Sequence, residues 1–253
     1  MRTAMQRRLP LAEPAVADPI VAERIAAADW QRVAATLDAE GHAVLHAMLS
    51  PEECASLATG YETDAQFRSR IVMARHGFGR GEYKYFAYPL PALIASLRTA
   101  LYTRLCAIAN RWNEAMNAAV RYPGDHAEFL DRCHRAGQTR PTPLLLQYAE
   151  GDYNCLHQDL YGEHVFPLQV AFLLSKPEHD FTGGEFVLAE QRPRMQSRAT
   201  VVPLDQGSGV IFAVNNRPVR GTRGSYRMKM RHGVSRVRSG SRHTLGIIFH
   251  DAA

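Results

Sequence analysis

At 253 residues, with 46% hydrophobic and 22% charged side chains, the chain has a globular composition and enough length to bury a full core. No apolar run approaches the ~20 residues of a membrane-spanning helix. The four cysteines (Cys54, Cys106, Cys133, Cys155) are scattered without a CxxC pair, which fits a reduced, cytoplasmic protein with no membrane partner. The net charge of +5 is unevenly placed: from Gln191 to Arg242, twelve Lys/Arg stand against one acid, Asp205, and the first 190 residues are net acidic. Such a stretch fits an anionic partner (nucleic acid, phosphate or carboxylate) or a solvated set of loops.

Residues 1–18 are basic at first, then broken by prolines and acids, and read as a loose tail without the apolar segment of an export signal. Apolar residues at helical spacing over 19–40 predict a helix that stops at Gly41. HAVLHAML then reads as a strand. Ser50-Pro51-Glu52-Glu53 opens a second helix, with Ser50 as N-cap, Pro51 at the first helical position and Glu53 closing a capping box. FGRGEYKYFAYPLP is irregular or extended. Residues 91–120 read as helical, Pro123-Gly124 breaks that pattern, and 125–136 read as a further short helix. After Gly137 the texture changes. PLLLQYA, FPLQVAFLLS, GEFVLAE, TVVPL, GVIFAV, MKMRHGVSRV and HTLGIIFH are short, apolar and separated by Gly, Pro, Asp and Asn. They predict seven or eight strands of a β-barrel or sandwich. The expectation is one α+β domain over 19–253, with 19–136 as mainly helical support and 137–253 as the β-core.

His157-Gln158-Asp159 is the candidate metal motif. A lone HxD is weak, but on a strand residues i and i+2 share a face. A third ligand must then come from elsewhere, and His232, 75 residues on and near the end of an extended segment, is the best donor. Two histidines and a carboxylate make the facial triad of non-haem Fe(II) oxygenases, with positions left open for cosubstrate and oxygen. Ten residues after His232 lies Arg242, with Thr244 on the same strand face. A guanidinium there can grip a dicarboxylate through paired charge-assisted hydrogen bonds, and the hydroxyl can add a third.

The pattern resembles the 2-oxoglutarate/Fe(II)-dependent dioxygenases, in particular their prolyl-hydroxylase-like branch. HAVLHAMLSPEECASLATGYE, QYAEGDYNCLHQD and TGGEFVL carry that likeness. GQTRPTPLLLQYAEGDYNCLHQDLYGEHVFPLQV, GGEFVLAEQRPRMQSR and RHGVSRVRSGSRHTLGIIFHDA are similar to a bacterial family of uncharacterised 2-oxoglutarate oxygenases with a predicted role in oxidative demethylation of damaged nucleic acid. The resemblance runs from about residue 40 to the C-terminus. It implies a double-stranded β-helix (jelly roll) with His157, Asp159 and His232 as iron ligands. It also implies Arg242 on the distal carboxylate of 2-oxoglutarate, Thr244 assisting, and either Tyr148 or Tyr153 donating its phenol to the same cosubstrate. Fe(II), 2-oxoglutarate and O2 would be consumed or bound, with ascorbate as a candidate reductant. A substrate C–H bond would be hydroxylated with release of succinate and CO2. The spacing from His232 to Arg242 is of the hydroxylase type; in AlkB-type demethylases the arginine lies further on.

Other candidates are weighed against bland roles. Arg192, Arg194 and Arg198 form either a substrate-binding ribbon or a solvated loop. EYKYFAYP either lines a substrate slot or wedges the N-terminal half against the β-core, with the wedge favoured. Trp112 and Cys155 are expected as core and small buried filler, and His126, His243 and His250 as structural. The stretch between Phe212 and His232 is long enough for a lid. The competing functions are a hydroxylase of a protein side chain or small metabolite, a jelly-roll metal enzyme that does not use 2-oxoglutarate, and a nucleic-acid-binding module with a vestigial site. No protein partner is legible.

Overall fold

The structure, a computed structural model, describes residues 19–192, 195–222 and 224–253; the expected tail 1–18 lies outside them. The first helical stretch is two helices, α1 (Pro19–Ala27) and α2 (Trp30–Glu40), because the Asp29 carboxylate caps the second by accepting the Arg32 N–H at 3.0 Å. α2 stops at Gly41, whose φ of 75° is left-handed and whose N–H bonds the Leu37 carbonyl. β1 (His42–Leu45) is shorter than the sequence suggested. α3 (Pro51–Gly60) opens with the expected capping box: Glu53 N–H reaches Ser50 Oγ at 3.2 Å, and Ser50 N–H reaches the Glu53 carboxylate at 2.7 Å.

The N-terminal half is less helical than expected. β2 (Phe67–Val72), β3 (Gly79–Arg80) and β4 (Glu82–Phe86) follow α3. Only then come α4 (Ala92–Ala115) and α5 (His126–Arg135). By length and composition α4 resembles a membrane span, contrary to the sequence reading. In this fold it is a core helix, with Leu97, Leu101, Leu105 and Trp112 buried in the main apolar cluster.

The remaining strands are β5 (Leu144–Tyr148), β6 (Tyr153–His157), β7 (Leu168–Leu173), β8 (Phe181–Gly183), β9 (Phe186–Gln191), β10 (Ser197–Val202), β11 (Gly209–Ala213), β12 (Asn216–Gly221), β13 (Gly224–Val234), β14 (Val237–Gly240) and β15 (Arg242–Ile247). A seven-stranded antiparallel sheet has the order β1-β11-β7-β15-β5-β4-β2, and a second has β10-β9-β13-β6-β3. The chain steps between them, β5 to β6 to β7 and later β11 to β13 to β15. The N-terminal half therefore completes both sheets rather than merely supporting them. β12 pairs with the outer part of β13 from Asn216↔Lys229 to Gly221↔Gly224. The stretch expected as a lid is thus largely strand, paired over these residues.

Candidate metal centre and its cavity

His157 ends β6 and pairs directly with His232 of β13, so both imidazoles leave the second sheet on one face. Asp159 lies two residues past the strand end, and the chain's exit turn, not strand alternation, brings its carboxylate in. The ligand atoms of His157, Asp159 and His232 all lie within 4.8 Å of one another. The Asp159 oxygens sit 3.4 Å from His157 Nε2 and 3.3 Å from His232 Nε2. His157 Nδ1 is 2.8 Å from the Cys155 carbonyl. A carbonyl only accepts, so Nδ1 carries the proton and Nε2 is free to ligate. The Tyr161 hydroxyl donates to Asp159 Oδ1 at 2.7 Å.

Burial opposes the Asp159 charge, but hydrogen bonds and charge from both histidines hold its carboxyl well below the usual range. Burial likewise pulls His157 down, and Asp159 outweighs it to leave that imidazole raised. Burial and the neighbouring His157 charge lower His232, against the pull of Asp159. One buried anion thus stands between two imidazoles that compete for it, an arrangement a divalent cation relieves. His232 Nδ1 is buried with no hydrogen-bond partner. The N,N,O donor set, opening onto a cavity of about 210 Å³, fits a ferrous or similar ion.

Arg242 and Thr244 project into the same cavity from β15. Arg242 is 1% exposed, its Nη1 donates to Thr244 Oγ1 at 2.5 Å, and its Nε is unpartnered. Among the described residues no carboxylate forms an ion pair with it; its guanidinium instead lies 5.6 Å from the Tyr148 ring and 5.8 Å from the Phe181 ring. Burial lowers its pKa to about 10, with Tyr148 and Glu185 opposing. A buried cation without a counter-ion is costly, and an entering carboxylate removes that cost. Tyr148 pairs across the sheet with Arg242 and lines the cavity. Burial pushes its phenol up to about 12, so it remains a proton donor at neutral pH. Tyr153 pairs with Arg80 on β3 and does not line the cavity.

Arg192 and Arg198 of the expected basic ribbon do not line this cavity. Arg198 forms an ion pair with Glu190 at 2.5 Å, Arg192 lies 5.3 Å from the Tyr226 ring, and Arg194 is outside the described residues. The aromatics of EYKYFAYP divide: Tyr83 and Tyr85 line the cavity, while Phe86 joins the main core. Cys155 is exposed, not a buried filler: the β6–β13 register shifts between His157 and Asn154, so strand alternation does not carry Cys155 inward with His157. The His243 N–H bonds Ser175 Oγ and its ring lies 6.1 Å from Tyr61, outside the cavity. His126 Nε2 contacts the Phe249 carbonyl at 2.8 Å, and His250 Nδ1 accepts the Phe166 N–H at 3.2 Å. Gln169, Asn154 and Tyr161 also line the cavity, and none carried a signal in the sequence.

Residues 81–252 match a family described as "Oxygenase, catalysing oxidative methylation of damaged DNA". An uncharacterized protein of Mycobacterium tuberculosis, found in strains H37Rv and CDC 1551, is 52% identical over 168 residues, covering 66% of this chain and 72% of the relative. Among solved structures, a Pseudomonas putida prolyl-4-hydroxylase superposes with a TM-score of 0.53 at 12% identity, covering 88% of this chain and 99% of its own. An oxidoreductase of the 2OG-Fe(II) oxygenase family from Burkholderia pseudomallei gives 0.52 at 15% identity, covering 90% and 94%. At these identities the likeness is one of fold. By the family match and the close relative, the chain belongs to this family of oxygenases, built on a fold shared with the 2OG-Fe(II) oxygenases.

Proposed function

We propose that the protein is an Fe(II)- and 2-oxoglutarate-dependent dioxygenase with a jelly-roll core, acting on a methylated base of damaged nucleic acid. The observation that carries this is the buried Arg242, without a carboxylate partner among the described residues, in the same cavity as the His157–Asp159–His232 cluster. A carboxylate-bearing cosubstrate would give that cation the counter-ion it lacks. The strands crossing back and forth between two facing sheets support the jelly-roll assignment.

In this reading His157, Asp159 and His232 hold the ion from one side and leave its cavity side open. The ion supplies the centre at which dioxygen and 2-oxoglutarate are used together to oxidise a C–H bond, with succinate and CO2 released. Arg242 and Thr244 bind the distal carboxylate, and the Tyr148 phenol donates to the same molecule. Leu146 and Phe186 make the cavity wall apolar and keep water from the reacting centre. Oxidising an N-methyl group gives a hydroxymethyl amine that loses formaldehyde, so this chemistry removes a methyl from the base.

The spacing of ten residues from His232 to Arg242 favours a second reading, hydroxylation of a protein side chain. A panel of alkylated oligonucleotides, proline-containing peptides and small metabolites, scored for succinate against a His232→Ala blank, separates the two. Succinate above the blank with alkylated oligonucleotides alone supports the first reading; succinate with peptides alone replaces it by the second.

A further inference from the structure

Gln169 lies on β7, is 3% exposed, and lines the cavity, yet its side-chain nitrogen has no hydrogen-bond partner. A buried amide donor left unpaired costs stability. At a cavity wall, such a donor is a sign of a ligand that accepts from it.

The sheet register places this amide. On the inward face of the first sheet, Arg242 pairs with Tyr148, Thr244 with Leu146 and Leu173, and Gly246 with Leu144 and Ala171. Gln169 comes one inward step further along β7, beside Phe212 of β11. Arg242 and Gln169 therefore occupy opposite ends of the floor, about 20 Å apart along the strands at ~3.3 Å per residue. Phe212 packs 4.5 Å from the His232 ring, which puts the Gln169 end beside the candidate metal. The distal carboxylate of the cosubstrate belongs at the Arg242 end. The Gln169 end is left for the primary substrate, and Tyr85, Tyr161, Leu144 and Ile248 wall it.

We propose that Gln169 is a substrate-recognition residue whose carboxamide hydrogen-bonds the ring edge of a nucleobase. The proposal rests on the nucleic-acid reading above. A carboxamide presents donors and an acceptor in one plane, the pattern that matches the edge of a base. Flat phenolic side chains beside it suit a planar ring better than an aliphatic chain. A site built around an unpaired polar group also rejects ligands that cannot satisfy it.

The test uses Gln169→Met, with Gln169→Leu as a second apolar replacement, in the full chain. The expected result has three parts. Thermal stability stays equal or rises, since an orphaned donor is removed. The visible band formed anaerobically with Fe(II) and 2-oxoglutarate keeps its wild-type titration. kcat/KM on single-stranded oligodeoxynucleotides carrying 1-methyladenine or 3-methylcytosine falls at least about ten-fold. Unchanged kcat/KM overturns the proposal. A lower melting temperature in both variants shows an amide satisfied within the fold, and also overturns it. A weakened Fe(II) titration assigns the amide to the unpartnered His232 Nδ1 and overturns it too. If the wild type forms the band but turns over neither oligonucleotide, the nucleic-acid reading fails and takes the nucleobase assignment with it.

Discussion

On the proposed function, Arg242 binds the cosubstrate directly and Tyr161 positions a metal ligand. Replacing Arg242 with Leu removes a buried charge that has no carboxylate partner among the described residues, so the melting temperature should not fall. The same change removes paired charge-assisted hydrogen bonds to a carboxylate, so 2-oxoglutarate affinity, measured by calorimetry, should drop about a hundred-fold. A large loss of stability with intact affinity would contradict the assignment. Tyr161 fixes Asp159 through one hydrogen bond. Tyr161→Phe should weaken divalent-metal binding about ten-fold, read by Co(II) titration, with little change in melting temperature. The charged members of the site were legible in the sequence because HxD, a distant His and an Arg have few bland explanations together. Tyr161 and Gln169 were not, since a neutral polar side chain carries no spacing signal until its neighbours are known. Tyr148 and Tyr153 could not be told apart in the sequence because both strands line the cavity; Tyr148 faces it from β5, whereas β6 lines it through Asn154 and His157 and not through Tyr153.

Among the elements, β6 carries His157 and is braced by the short β3. Gly79 on β3 has φ 128°, and a Cβ there would lie 2.3 Å from the Tyr153 carbonyl oxygen. Gly79→Ala should therefore push β3 off β6, costing about 1–3 kcal/mol of stability and weakening metal binding through His157. Unaltered melting and metal titration would show that β3 does not position the ligand strand. Ser50→Ala, which removes the α3 cap far from the cavity, should cost about 1 kcal/mol and leave metal binding unchanged. The capping box was legible because its residues act locally. β2 and β12 were missed because neither alternates cleanly between buried and exposed positions; long-range pairing, not local pattern, makes them strands. The length of the stretch between Phe212 and His232 argued for a lid, and the pairing of β12 with β13 makes strands of most of it.

At the scale of the molecule, two buried histidines contribute to the response to acid, alongside His232 and His243, which burial also lowers. Burial lowers His126 to about 3 and His250 to about 4. Their unfolded-state values are near 6.5, so both are protonated more readily when unfolded. Their contribution is complete above about pH 6.5 and is lost as pH falls from there through the folded values. Asp251 adds a later loss. Burial opposes its charge, but Arg98 at 2.8 Å and hydrogen bonds from His134 and Tyr88 hold it far below the carboxylate range. That contribution fades only below about pH 4. Thermal melts should thus decline already between pH 6.5 and 4.5, and His126→Gln should shallow the decline. A flat profile in that window would contradict this account.

On the proposed function, three side chains hold one ferrous ion while Arg242 holds a keto diacid beside it. The direct measurement is an anaerobic titration of the metal-free protein with Fe(II) and 2-oxoglutarate, followed by visible absorption. The expected result is a charge-transfer band that saturates at one equivalent of each, is abolished in Asp159→Ala, and requires much higher 2-oxoglutarate in Arg242→Leu. A wild-type solution that stays colourless at saturating concentrations of both would contradict it.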